Sequence, residues 1–253
     1  MSQSNFSAFS ALNTALDVFK KEFKFFATIL IIYILVSVLP YLYLFDNVDL
    51  FDPAAVMEAG FTDNLFVTAL GIIFYLLYAY MFVLVLDKTN SSLNNISFND
   101  YPYLSRGIQT VIPVILIYVI TAILVGIGLV LLIIPGLIAM AGLYLAVPAK
   151  LAENISFYSS IPRSWQLTKG CRLSIWGMLL VFLVLGLIIS FVLMGVLLTQ
   201  IGDGDGLKAV ISPFYLTINS VINGLFTIFY MIATGVAYHQ IADDNVTHIS
   251  ADT

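Results

Sequence analysis

Long apolar runs separated by short polar segments dominate the chain. The stretches 25–45, 65–86 and 108–134 contain no charged side chain. A fourth run follows the Ile-Pro-Gly turn at Ile134 to Gly136 and extends from Leu137 to Ala149, reaching Glu153 if it spans. Two more cover 175–200 and 213–241, both long enough to tilt. A spanning helix needs about 20 apolar residues to cover roughly 30 Å of hydrocarbon, because lipid offers no partner for an unpaired backbone group. The pattern predicts an all-α fold, a polytopic membrane helix bundle with six transmembrane helices (25–45, 65–86, 108–134, 137–153, 175–200 and 213–241). It is expected to form a single integral membrane domain over 1–253.

A different periodicity precedes the first span. Phe6, Phe9, Leu12, Leu16, Phe19 and Phe23 recur in steps of three and four, which places them on one helical stripe. Ser10, Asn13, Asp17, Lys20 and Lys21 fill the other positions. This predicts an amphipathic interfacial helix over 6–23. A second interfacial segment is expected over 155–170, with Leu151, Ile155, Tyr158, Ile161 and Trp165 at helical spacing. There, Ser159 or Ser160 as a cap, Pro162 in the first turn and Gly170 as a stop predict a short helix over 162–169. Trp165 would lie at headgroup depth, with Arg163, Lys169 and Arg172 toward anionic headgroups. The tetrapeptide Asn-Ile-Ser-Phe occurs twice, at 95–98 and 154–157. Each copy precedes a proline (Pro102, Pro162), a basic residue (Arg106, Arg163) and a span, a weak internal echo.

Composition fits lipid as the solvent. Of 253 residues 60% are hydrophobic and 10% charged, with a mean hydropathy of +1.00, whereas soluble chains have about 25% charged residues. A net charge of −5 and a pI near 4.7 disfavour a phosphate-binding surface, so nucleic acid is not an expected partner. The positive charges also set an orientation. Lys20, Lys21, Lys24, Lys88, Arg106, Lys150, Arg163, Lys169 and Arg172 fall on one side of the six-span arrangement and only Lys208 on the other. The segment 46–64 carries acids and no base, as a translocated loop would. Both termini are therefore expected in the cytoplasm. The first apolar run exceeds the length of a signal-peptide core and lacks a small-x-small site before Asp46, so it is read as an anchor.

Little catalytic chemistry is visible. No ionisable residue lies at hydrocarbon depth in the six spans, which argues against a proton-coupled carrier, an intramembrane protease or a voltage sensor. Cys171 is the one cysteine, and His239 and His248 are the two histidines, so neither a disulfide framework nor a structural zinc site is expected. Asp46, Asp49 and Asp52 lack the order of a calcium loop. No metal, cofactor or nucleotide motif occurs, and no enzyme activity is expected; a cytoplasmic site would have to use Arg163, Lys169 and an acid such as Glu153. The polar feature within a span is a stripe on the sixth, Asn219, Asn223, Thr227, Tyr230 and Thr234, suited to interhelical contacts or to a wet cavity. Gly126, Gly128, Gly177, Gly186, Ser190 and Gly195 supply small surfaces for close packing.

The segment 133–177 has a recognisable order: a span ending in Pro135-Gly136, a short span ending near Pro148 and an acid, then Arg163-Ser164-Trp165, Leu167, Thr168 and Gly170 before another span. It resembles the YciC-type family of uncharacterised bacterial inner-membrane proteins. It is also similar to the membrane domain attached to some glycerophosphodiester phosphodiesterases, whose catalytic barrel this chain has no length to contain. The resemblance implies a six-span bacterial inner-membrane (plasma-membrane) protein without an assigned activity. The expected function is assembly in the cell envelope with membrane lipids and with a membrane-protein partner or a second copy. The alternative is a carrier or scramblase for a lipid or other apolar solute.

Overall fold

Uncharged runs in lipid can satisfy their own backbone as helix, and helix is what forms. The computed structural model describes residues 6–47, 65–95, 103–200 and 213–251. Among them lie α1 (Ala8–Lys21), α2 (Phe23–Asn47), α3 (Leu65–Leu93), α4 (Tyr103–Leu131), α5 (Ile133–Leu143), α6 (Ala146–Glu153), α7 (Phe157–Leu167), α8 (Arg172–Gln200) and α9 (Pro213–Ala251), and no strand. Five stretches are long and apolar enough to cross a membrane: Gly71–Leu93, Gln109–Leu131, Ile133–Glu153, Arg172–Leu198 and Phe214–Asp244. The expected span 25–45 falls within α2 (Phe23–Asn47), whose side chains are described as far as Val38. Asp49, Asp52, Pro102, Lys208 and residues 96–98 of the first Asn-Ile-Ser-Phe copy lie outside the described residues, as do the side chains of Asp46, Arg106 and His248.

Two compact units emerge, Met1–Phe23 with Ala79–Phe182 and Phe229–Thr253, and Lys24–Tyr78 with Leu183–Ile228. In the second, small residues bring helices together. A Cβ on Gly224 of α9 would lie 2.6 Å from Leu30 and 2.8 Å from Tyr33 of α2, and the Ser37 and Ser220 hydroxyls meet at 2.9 Å. In the first, the centre is α9, where Met231, Ile232, Ala233, Val236 and Ala237 are fully buried. By contrast, only 11% of the apolar windows of α4 and α8 is buried within the chain.

Helix α1 lies along this unit as a strap. Ala8 is near Gly177 of α8, Ser10 and Thr14 are each 3.4 Å from the Gln240 amide of α9, and Lys21 donates to the Ser92 carbonyl of α3 at 3.1 Å. Glu22 and Lys88 form an ion pair of 2.8 Å. The small residues Ala11, Ala15 and Val18 are buried, while Phe9, Leu16 and Phe23 are exposed.

Three boundaries differ from the sequence expectation. The turn expected at Ile134 to Gly136 lies at Leu132, in extended conformation (φ −160°, ψ 138°), and Pro135 sits in the first turn of α5, where its missing N–H costs nothing. Helix α7 begins at Phe157 after Ser156, not at Pro162. Pro162 is inside it, and the carbonyl left short of a donor belongs to the exposed Tyr158. Helices α3 and α9 continue beyond 86 and 241; in α3 the buried Lys88 has Glu22 as a counter-charge and Thr89 bonds back to Val85 at 2.8 Å. Two non-glycine residues adopt left-handed φ, Asn95 at 54° after α3 and Asn154 at 50° at the end of α6, a region that asparagine enters more easily than most.

Candidate functional site

Pro148 lacks an N–H, and its ring excludes the carbonyl four residues earlier, that of Tyr144. The helix begun at Ile133 therefore breaks between Leu143 and Ala146. The break releases the Gly142 carbonyl and the Leu145 N–H in a buried setting. Ser164 of α7 meets both: its hydroxyl donates to Gly142 O at 2.9 Å and accepts from Leu145 N–H at 3.1 Å. The Thr168 hydroxyl is 3.2 Å from the same Gly142 oxygen and 3.0 Å from Ser164 O, and its one proton serves either. Ser164 and Thr168 are fully buried.

The rest of the segment closes around this joint. A Cβ on Gly142 would lie 2.5 Å from the Trp165 ring, so glycine allows the indole to lie on the backbone of α5. The Arg172 guanidinium covers the ring at 4.1 Å and donates to the Trp165 carbonyl at 3.4 Å. Leu167 is buried, and Gly170 has φ 101°, which a side chain would strain. Upstream, a Cβ on Gly128 would lie 2.8 Å from Gly136 Cα, so Gly128 and Gly136 let α4 and α5 meet backbone to backbone. Ser164, Trp165, Leu167, Thr168 and Gly170 thus hold one helix corner, whereas Pro135 and Gly136 belong to the other end of α5, where it meets α4.

A polar cluster adjoins the corner. Arg163 Nε donates to both Glu153 oxygens at 2.8 and 2.9 Å, and the Tyr238 hydroxyl donates to the first of them at 3.0 Å. Beside it, Leu86, Asn90, Leu151, Tyr238 and His239 line a small crevice, with His239 Nε2 2.5 Å from Asn90 Oδ1. Of the three residues that a cytoplasmic enzyme site would need, Glu153 and Arg163 are together, whereas Lys169 is exposed after the end of α7. Among the described residues no group of His, Cys, Asp and Glu could hold a metal ion. Cys171 is buried beside the corner, and burial pushes its thiol up to about 11, against the opposing effects of a backbone hydrogen bond and of Arg172.

The polar stripe of α9 is distributed between the two units. In one, the Asn223 amide donates to the Asn219 side-chain and main-chain oxygens at 2.7 and 2.9 Å, and Thr227 is half-buried. In the other, Thr234 donates to Tyr230 O at 2.8 Å and lies 2.6 Å from the Tyr144 hydroxyl, while the Tyr144 and Tyr230 rings meet edge to face. Sequence reasoning missed Gly142, Tyr144 and Leu145. Their signal was Pro148, whose effect falls four residues upstream. Comparisons of the chain with protein-family models, with curated proteins and with solved structures found no match.

Proposed function

We propose that the chain is a multi-pass bacterial inner-membrane protein of the YciC type, with six spans, both termini in the cytoplasm, and α1 and the α7 segment lying in the cytoplasmic interface. It acts without catalysis, by assembling with membrane lipids and with a membrane-protein partner or a second copy. The observation that carries this reading is the exposure of Phe9 and Leu16 on α1 and of Phe23 just after it, while Ala11, Ala15 and Val18 face the protein together with Phe6, and Leu12 and Phe19 are half-buried. A soluble protein sorts them the other way. Tyr158 and Trp165 are likewise exposed on α7, with the Arg172 guanidinium over the Trp165 ring and Lys169 exposed just after the helix, the combination suited to an anionic membrane surface. The assignment of the recognisable residues around Gly142 to packing supports a role in assembly.

Native mass spectrometry of the protein released from nanodiscs of phosphatidylethanolamine and phosphatidylglycerol tests it. Retained phosphatidylglycerol, a fixed oligomer or a co-purified membrane protein is expected, and Phe9→Ser with Leu16→Ser should lose the lipid adducts. A bare monomer would overturn the reading.

A carrier or scramblase is the second reading, favoured by the discontinuous helix α5–α6, since interrupted helices form binding sites in many carriers. Its freed backbone groups are already taken by Ser164. Dithionite quenching of labelled phospholipid in proteoliposomes separates the two readings: flux above that of empty vesicles, abolished by Asn219→Leu with Asn223→Leu, would establish transport.

A further inference from the structure

The connection between α4 and α5 is a single residue, Leu132, and the sequence from Ala122 to Leu143 around it contains no polar side chain. From Leu129 to Ile134 the sequence is Leu-Val-Leu-Leu-Ile-Ile, and every member is exposed, from 42% at Leu129 to 88% at Val130. Turns in water are built from Gly, Pro, Asn, Asp and Ser, because these residues satisfy the bent backbone locally and hydrate well. The other two segments on the side assigned to the periplasm have that character. Residues 46–64 include Asp46, Asp49, Asp52, Glu58 and Asp63, and 201–212 includes Asp203, Asp205 and Lys208.

Backbone economy points the same way. Leu132 N–H donates to Gly128 O at 3.0 Å and Gly136 N–H to Leu132 O at 3.4 Å, while Pro135 has no N–H to satisfy. Of the four positions that open α5, Leu132 is paired and Pro135 has no donor, which leaves the N–H groups of Ile133 and Ile134, fewer than a helix start usually exposes; the Gly136 bond is the first regular bond of α5. The contact of Gly128 with Gly136 pinches the tip so that it presents side chains on its outer surface.

Length supplies the third argument. On the returning limb the apolar part runs from Ile133 to Ala149, ahead of Lys150 and Glu153. At about 1.5 Å per residue this reaches about 25 Å, less than the roughly 30 Å of hydrocarbon even without tilt or the break at Tyr144–Leu145. With Lys150 and Glu153 at the cytoplasmic interface, the returning limb by itself leaves Leu132 short of the opposite one, and α4, about 37 Å over its uncharged residues 107–131, reaches the same tip by tilting.

Resting on the membrane reading above, and in place of its third and fourth full crossings, we infer that the α4–α5 hairpin ends inside the bilayer, with Leu129 to Ile134 covered by lipid acyl chains of the far leaflet and no loop between α4 and α5 in the periplasm. The surface it continues is that of α4, which is also largely uncovered by protein. Topology elsewhere is unaffected, because a hairpin returns the chain to the side from which it entered.

Nitroxide labels at Leu132→Cys and, separately, Val130→Cys, in nanodiscs, read the environment through collisions with oxygen, which partitions into lipid, and with a water-soluble nickel chelate. Phe191→Cys on α8 is the lipid control, Asp205→Cys the water control, and the unsubstituted chain with its buried Cys171 the blank. Oxygen collisions at 130 and 132 should match those at 191, with nickel collisions lost. Nickel contact at the level of 205 overturns the inference and leaves the membrane reading standing. Shielding from both reagents also overturns it, in favour of a second protein copy on the tip. Nickel contact at 191 itself would instead remove the membrane reading on which the inference rests.

Discussion

The Ser164 hydroxyl and the Gly142 carbonyl are 2.9 Å apart across the break between α5 and α6, and the same hydroxyl accepts from Leu145 N–H. One side-chain atom thus repairs both ends of an interruption that Pro148 creates. Removing it leaves a buried donor and acceptor without their partner, which costs about 1–3 kcal/mol, less whatever Thr168 recovers. Ser164→Ala should lower the unfolding midpoint in mild detergent accordingly. Ser164→Ala combined with Thr168→Val should cost more than the sum of the single changes, because Thr168 is the substitute donor to Gly142. Additive losses would show that the two hydroxyls act independently.

Gly128 and Gly126 provide a matched pair on one helix. A methyl at Gly128 would meet the Gly136 backbone at 2.8 Å, whereas nothing lies within 4 Å of a methyl at Gly126. Gly128→Ala should destabilise by about 1–3 kcal/mol, as overpacking against an unyielding backbone does. Gly126→Ala should be neutral or gain up to about 1 kcal/mol from helix propensity. Thermal unfolding in nanodiscs compares them directly, and equal effects would contradict the close approach of α4 and α5.

Cys171 gives a dependence on pH. Burial raises its thiol from 9.0 to about 11, so the neutral form is favoured in the folded protein. Below the unfolded value both states hold the proton and stability is unaffected. As pH rises from 9.0 toward about 11, the unfolded chain releases the proton first and this contribution is lost. Reaction with an aromatic disulfide in nanodiscs should therefore be slow at neutral pH and accelerate about tenfold per pH unit, following the thiolate. Unfolding in dodecyl sulfate should abolish the protection; rapid labelling of the native protein at neutral pH would argue against it.

The ion pairs Arg163–Glu153 and Lys88–Glu22 should differ in worth. Arg163 and Glu153 retain 41% and 25% of their side-chain exposure, against 10% and 21% for Lys88 and Glu22. Solvent screens the first, so Glu153→Gln should cost no more than about 1 kcal/mol. Glu22→Gln leaves a more buried ammonium beside a neutral amide and should cost more. Denaturation of both variants at low and high salt measures this, with the smaller salt effect expected at Glu22–Lys88.

Much of the framework was legible in the chain because lipid imposes simple demands. Charge-free runs mark α3, α4, α8 and α9, and the period of Phe6 to Phe23 marks α1. The inward face of α1 was harder to read, since a search for large apolar residues mixes the buried Phe6 with the exposed Phe9 and Leu16 and passes over Ala11, Ala15 and Val18. The residues from Arg163 to Gly170 stood out as a pattern, yet their purpose did not. Ser164 and Trp165 act on Gly142, a residue 22 positions away with no distinctive neighbour, and a partner at that distance leaves no local periodicity. Helix α7 was misplaced for a related reason: Pro162 reads as a beginning by propensity, whereas Ser156 at φ −67°, ψ 156° provides the actual entry.

Asn95 and Asn154 open the same four letters and take the same left-handed step. Few side chains accept that step at modest cost, and the short amide of asparagine is one of them. Two positions further on, Ser156 supplies the extended residue from which the next helix starts. The spelling at 154–157 is therefore dictated by the path of the backbone, and another corner under the same constraint would converge on the same opening letter. The recurrence is better understood as shared punctuation than as testimony of a copied segment, much as unrelated sentences end in the same mark.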